Sequence, residues 1–224
     1  MRANASRTGS KPSAVSPQIS TAATDRRLAS AASTAYPFER YPGDRGDAES
    51  VAWWTMTNPA EELLDVVDAQ DRVIGTAPRG EVYRQGLTHR CVFILVRDAA
   101  DRIFVHRRTD TKLFAPGAYD CFVGGVVGSG ETYAHAAVRE AEEELGVSGI
   151  EPVPLFRFLF EQDGLSWFCD MHEARWDGPV SPQVEEVAWH GWLTADELTE
   201  RLAEWDFVPD GREAYRRYLE FSGS

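Results

Sequence analysis

Apolar and polar positions alternate over most of the chain from Leu63 onward, and the alternation breaks at polar turns. "LLDVVDAQDRVIG" reads as two short strands around a polar turn, and "RCVFILVRDAADRIFVHRR" as a longer hairpin turning at Asp98–Asp101. The longest apolar run, Cys91 to Val96, is six residues, which suits a buried strand and is far too short to span a membrane. "TKLFAPGAYDCFVGG" reads as a loop running into a strand. The period then changes to that of a helix over Thr132 to Leu145. "PLFRFLFEQDGLSWFCDMHEARW" predicts two more strands turning at Asp163–Gly164. Thr194 caps a helix with Glu197 three positions on, a capping box, and "DGREAYRRYLEF" makes a terminal helix. Strands mixed with few helices point to an α+β sandwich, a sheet covered by helices.

Residues 1–50 break the pattern: rich in Ser, Ala, Thr, Pro and Arg, they show almost no apolar periodicity and predict disorder. The first 24 residues contain no acid, which faintly resembles a transit peptide, but no apolar core of a secretory signal is present. Met56 opens "MTNPAEELLDVVDAQDRVIG", a natural start for the folded part. Residues 1–55 are therefore expected to be a functionless extension or an early-assigned start, and 56–224 the folded domain. Charge sharpens the division. Of the net −13, residues 1–55 contribute +2, whereas the remaining 169 hold 16 basic and 31 acidic residues. So acidic a domain repels a nucleic-acid backbone, but accepts small phosphate compounds if a metal or local cations receive them. Cys91, Cys121 and Cys169 stand far apart with no C-x-x-C pair, which predicts free thiols in a reducing, cytoplasmic compartment.

The predicted helix ends on "REAEEELG", four glutamates in five positions just before a glycine. Anions are disfavoured at a helix C-terminus, and like charges three and four residues apart repel. At ~100° per residue, Glu140, Glu143 and Glu144 fall within an arc of about 100°, with Ala134, Ala137, Val138, Ala141 and Leu145 expected as the buried stripe opposite. A divalent cation among the carboxylates would turn this arrangement to advantage, and hard oxygen ligands select Mg²⁺ or Mn²⁺.

The surroundings match a longer pattern. Gly125, five residues, Glu131, seven residues, then Arg139-Glu140-Ala141-Glu142-Glu143-Glu144-Leu145-Gly146-Val147 resembles the Nudix box, G-x5-E-x7-R-E-U-x-E-E-x-G-U, with every fixed position filled. The resemblance implies a Nudix-type α/β/α sandwich with mixed sheet and a magnesium-dependent hydrolase of nucleoside diphosphates linked to another group. It places Glu140, Glu143, Glu144 and Gly125 at the metal and makes Glu131 and Arg139 further members of the catalytic set. Gly125 is expected to let the backbone turn from strand to loop. Glu131 should accept from Arg139, Glu142 should be solvated, and Gly146 should be the C-cap. A base outside the box is expected at Glu185 or Glu186 in "VEEVAW".

"RRTDTKLFAPGAYD", Arg107 to Asp120, is similar to the R-R-x3-K-x3-P-G stretch shared by isopentenyl-diphosphate isomerases and their hydrolase relatives. By that match Arg108 and Lys112 reach the diphosphate. The resemblance makes an isomerase the rival reading. Those enzymes place a cysteine where this chain has Gly124 and histidines where it has Val126 and Val82; only His89 agrees. Cys121 stands three residues too early and reads as a buried strand residue. A catalytically silent sensor module is the other alternative, although every box glutamate is kept. Trp167, Phe168 and Trp189 could stack a base but read as core, and His106, His135, His172 and His190 show no ligand spacing. The partner expected is a small diphosphate molecule, neither membrane nor nucleic-acid polymer, with self-association into a homodimer left open.

Overall fold

The run from Cys91 to Val96 forms the spine of the domain. The structure, a computed structural model, describes residues 58–223; the expectations for residues 1–55 lie outside them. β3 (His89–Arg97) runs parallel to β8 (Leu165–Arg175) and antiparallel to β6 (Val123–Val126), and β7 (Val153–Gln162) pairs antiparallel with β8 on the far side. β4 (Ile103–Arg108) pairs with β5 (Tyr119–Asp120) and β9 (Val187–Leu193). The sheet is mixed, as expected.

Alternation along β3 feeds two cores. Cys91, Phe93 and Leu95 pack with Leu198, Ala214, Tyr215 and Tyr218 of α3 (Ala195–Glu204) and α4 (Pro209–Ser222). Val92, Ile94 and Val96 pack with Ala136, Ala137, Ala141 and Leu145 of α2 (Tyr133–Leu145). Helices thus cover both faces, the sandwich expected of this pattern. Among the described residues, no helix is long and apolar enough to cross a membrane.

The hairpin expected over 90–108 is only partly one. Its turn is where the sequence places it, with Asp98 Oδ1 accepting from the N–H groups of Ala100 and Arg102. Beyond the single ladder pair Arg97↔Ile103 the strands part, because β3 takes β6 and β8 as neighbours while β4 takes β5 and β9. That divergence opens the space in which the site lies. β1 (Leu63–Val67) and β2 (Val73–Pro78) form the predicted short pair, followed by α1 (Arg79–Gln85), a seven-residue helix too short to leave a period in the sequence.

The expected buried stripe of α2 is corrected. Ala134 and Val138 are exposed, and the contact face is Ala136, Ala137, Ala141 and Leu145 together with Glu140 and Glu144. The alanines let the helix lie close on β3 and β6, and the rotation that turns Glu140 and Glu144 inward carries Ala134 and Val138 to solvent. Thr132 caps the helix start. Gly146 ends it at φ +62°, where a Cβ would meet the Ser181 carbonyl oxygen at 1.9 Å. The Thr194–Glu197 capping box is present on α3. All three cysteines are free and buried.

Candidate active site

Of the three carboxylates expected at the metal, two are buried and one is not. Glu140 and Glu144 turn into the space between β6 and α2, whereas the side chain of Glu143 is 49% exposed. Arg139 gathers this acidic face. It forks onto Glu131, Nε to Oε1 at 3.0 Å and Nη2 to Oε2 at 2.9 Å, and its Nη1 donates to Glu140 at 2.8 Å and Glu143 at 3.3 Å. Glu131 also accepts from the Gly128 N–H, so it fastens the loop before α2 to the helix. Glu142 is not merely solvated: its carboxylate accepts from the Gly149 N–H at 2.6 Å and closes the turn after the helix.

Gly125 has a different role from the one expected. Its backbone is ordinary, but a Cβ there would lie 2.5 Å from Glu140 Oε1, so the glycine makes room for the carboxylate. The unusual conformation belongs to Gly124, at φ +153°, where a Cβ would meet the Val92 carbonyl oxygen at 2.0 Å. The Gly124 N–H donates to Glu144 Oε2 at 3.0 Å.

Opposite α2, the loop after β4 brings in the cations. Lys112 Nζ lies 3.6 Å from Glu144 and 3.0 Å from Glu186. Arg108 donates to the Phe114 carbonyl, while its buried Nε has no partner and no carboxylate pairs with it among the described residues. Of the two candidate bases, Glu186 faces this space and Glu185 is exposed; only the Glu185 carbonyl is engaged, by Thr109 Oγ1. Arg108, Lys112, Gly124, Gly125, Arg139, Glu140, Glu143 and Glu186 line one cavity of about 660 Å³, and Glu144 lies behind its wall in contact with Lys112 and Gly124.

The electrostatics answer the question posed by the acidic helix. Burial first, then the charge of Glu144, pushes Glu140 up to about 8. Burial likewise raises Glu144, against the pull of Lys112, while Lys112 holds Glu186 below the usual carboxylate range. Two buried carboxyls that resist joint ionisation suit a divalent cation, which would let both ionise. Among the described residues no three His, Cys, Asp or Glu side chains are grouped closely enough to hold an ion, and Glu143 pairs with Arg139.

The sequence profile of the NUDIX domain matches residues 87–218. The chain belongs to the Nudix family. A protein of Streptomyces coelicolor described as an uncharacterized Nudix hydrolase is 56% identical over 171 residues, covering 75% of this chain and 94% of the relative. YfcD of Escherichia coli, described in the same terms, is 37% identical over 159 residues, covering 71% of this chain and 87% of YfcD. A crystal structure from Deinococcus radiodurans superposes with a TM-score of 0.62 at 34% identity, covering 70% of this chain and 98% of that one. A MutT protein structure from Methanosarcina mazei, at 18% identity and a TM-score of 0.52, shares the fold.

Residues outside the Nudix box complete the cavity. Asp120, Asp210, Arg79, Tyr83 and Cys91 all line it, as do His89 and Trp167. They come from five elements, α1, β3, β5, β8 and α4, so no local spacing marks them as a set. One signal was available for Asp120, which closes the stretch from Arg107 to Asp120 singled out in the sequence, whereas nothing local marks Asp210. Cys121, by contrast, is fully buried in the core, with its thiol pushed up by burial.

Proposed function

We propose that this Nudix hydrolase cleaves a diphosphate linkage in a small nucleotide-type or related diphosphate, with Mg²⁺ as its cofactor and residues 56–224 as the catalytic domain. The observation that carries the reading is one cavity lined by Glu140 and Glu143 and by Lys112 and Arg108, with Glu144 against Lys112 and Arg108 Nε without a partner. Glu140, Glu143 and Glu144 are the residues that would hold the metal. When bound, it neutralises diphosphate charge and lowers the pKa of water. Arg108 and Lys112 bind the diphosphate, the first as a planar fork and the second as a point charge. Glu186, held ionised by Lys112, takes the proton from the attacking water. Arg139 and Glu131 keep the acidic face in register, and Gly125 leaves space for Glu140.

Isomerisation needs a group that adds a proton to carbon. At Gly124 the backbone of β3 occupies the place of any side chain, and Cys121 lies in the core. The test is a phosphate-release screen with Mg²⁺ across nucleoside di- and triphosphates, nucleotide sugars, dinucleotides and prenyl diphosphates. Wild type should release product, EDTA should stop it, and Glu143→Gln should fold normally yet lose orders of magnitude in turnover. Equal activity in the two proteins would reject the ligand assignment.

A further inference from the structure

Beyond the box carboxylates the cavity continues to a second pair of buried acids. Asp120 ends β5 and Asp210 opens α4, and each is only 6% exposed. Each accepts one backbone hydrogen bond, Asp120 from the Phe122 N–H at 3.1 Å and Asp210 from the Gly211 N–H at 3.0 Å. Neither makes an ion pair among the described residues. Burial leads in raising both, Asp210 to about 6, and the charge of Asp210 adds to the rise of Asp120. Arg108 lines the same cavity, and its charge acts on both as well as on Glu144 and Glu186.

Unsatisfied groups converge here. Trp167, 3% exposed, turns its indole N–H toward Asp210, which feels that group, but makes no hydrogen bond of full geometry. His89, 1% exposed, sets Nδ1 at 3.3 Å from the Leu87 carbonyl, so Nδ1 carries the hydrogen. Burial holds the ring neutral, with its pKa lowered to about 4, and Nε2 is therefore an acceptor with no donor. Arg108 Nε is a donor with no acceptor. Buried polar groups normally find partners, and those left over mark where a ligand supplies them.

We infer that Asp120, Asp210, His89 and Trp167 form a subsite for a polar group on the diphosphate substrate, one that both donates and accepts hydrogen bonds, as a nucleobase edge or sugar hydroxyls do. The inference rests on the diphosphate-hydrolase reading and makes these four residues specificity determinants. An apolar prenyl chain placed there would leave acceptors and donors unpaired, and a site built to hydrogen-bond discriminates strongly against a group that cannot.

The test is calorimetric titration of the full chain with Mg²⁺ and non-hydrolysable probes. These are α,β-methylene nucleoside diphosphates of the four common bases, their abasic ribose counterpart, methylenediphosphonate alone, and isopentenyl diphosphate in its α,β-methylene form. At least one polar probe should bind about tenfold or more tightly than methylenediphosphonate and than isopentenyl diphosphate. Asp120→Asn, Asp210→Asn and Trp167→Phe should shrink that advantage to within about twofold while methylenediphosphonate binds as before. The abasic probe keeping the advantage assigns the subsite to hydroxyls; losing it assigns the subsite to the base. The inference is overturned if no polar probe outbinds methylenediphosphonate, if isopentenyl diphosphate binds as tightly as the best polar probe, or if the variants weaken every probe equally. Should Asp120→Asn unfold the protein, the other two variants decide. Failure of the hydrolase reading is read separately, as absence of phosphate release from any substrate.

Discussion

Glu140 offers a test in which electrostatics can be separated from packing. Its carboxyl is pushed from 4.5 up to about 8, by burial and then by Glu144. Between those values the unfolded chain releases the proton and the folded chain retains it, so the folded state loses stability as pH rises through the window. From about pH 4.5 to about pH 7.5, at ~1.36 kcal/mol per unit, the limit is on the order of 4 kcal/mol. Relaxation and water entering the cavity bring this to about 1–2 kcal/mol, since effective dielectrics even at buried sites exceed those of dry protein. At about 2–4 °C per kcal/mol for a domain of this size, the shift is about 2–8 °C. Glu140→Gln keeps the shape and removes the titration. Calorimetric melting in EDTA should show the variant gaining on wild type by that amount between about pH 5 and about pH 7.5. His89 and His106, lowered to about 4 and about 3, act in the opposite sense below 6.5 but cancel in the difference. Glu131 and Glu213, held below the ordinary 4.5, contribute outside the window. Mg²⁺ should then raise the wild-type melting temperature more at the higher pH, because it binds the ionised carboxylates. A wild-type-to-variant gap that stays constant across this range would refute the reasoning.

Gly125→Ala puts a Cβ 2.5 Å from Glu140 Oε1, so it should lower turnover by about tenfold or more with little change in melting temperature; unchanged kinetics would contradict it. Glu186→Gln should cost about 10²-fold or more in kcat, whereas Glu185→Gln, on an exposed side chain, should stay within about twofold; the reverse order would move the base. Cys121→Ala should retain most phosphate-releasing activity. Incubation with isopentenyl diphosphate in deuterated water should leave the carbon skeleton unlabelled. Deuterium in dimethylallyl diphosphate that disappears with Cys121→Ala would instead favour the isomerase.

Local chemistry was readable from the sequence alone. The polar turns at Asp98–Asp101 and Asp163–Gly164, the Thr194–Glu197 capping box and the Gly146 C-cap all follow from spacings of a few residues, within the reach of one turn or helix face. The contact of Arg139 with Glu131 belongs here too, since eight residues separate them across a single loop and helix. The rest depended on contacts between segments distant in sequence. Rotation of α2 against β3 decided that Glu140 and Glu144 go inward while Val138 goes out. Competition between ladder partners split the expected hairpin. Approach of a carboxylate, rather than backbone dihedrals, explains Gly125, and the chain before β9 turns Glu186 rather than Glu185 to the cavity. Asp120 and Asp210 lie 90 positions apart, brought to one cavity by α4 packing against the sheet. Burial is what gives those two acids their chemistry, and burial is a property of the folded chain: the same residues in an extended chain would be ordinary solvated carboxylates.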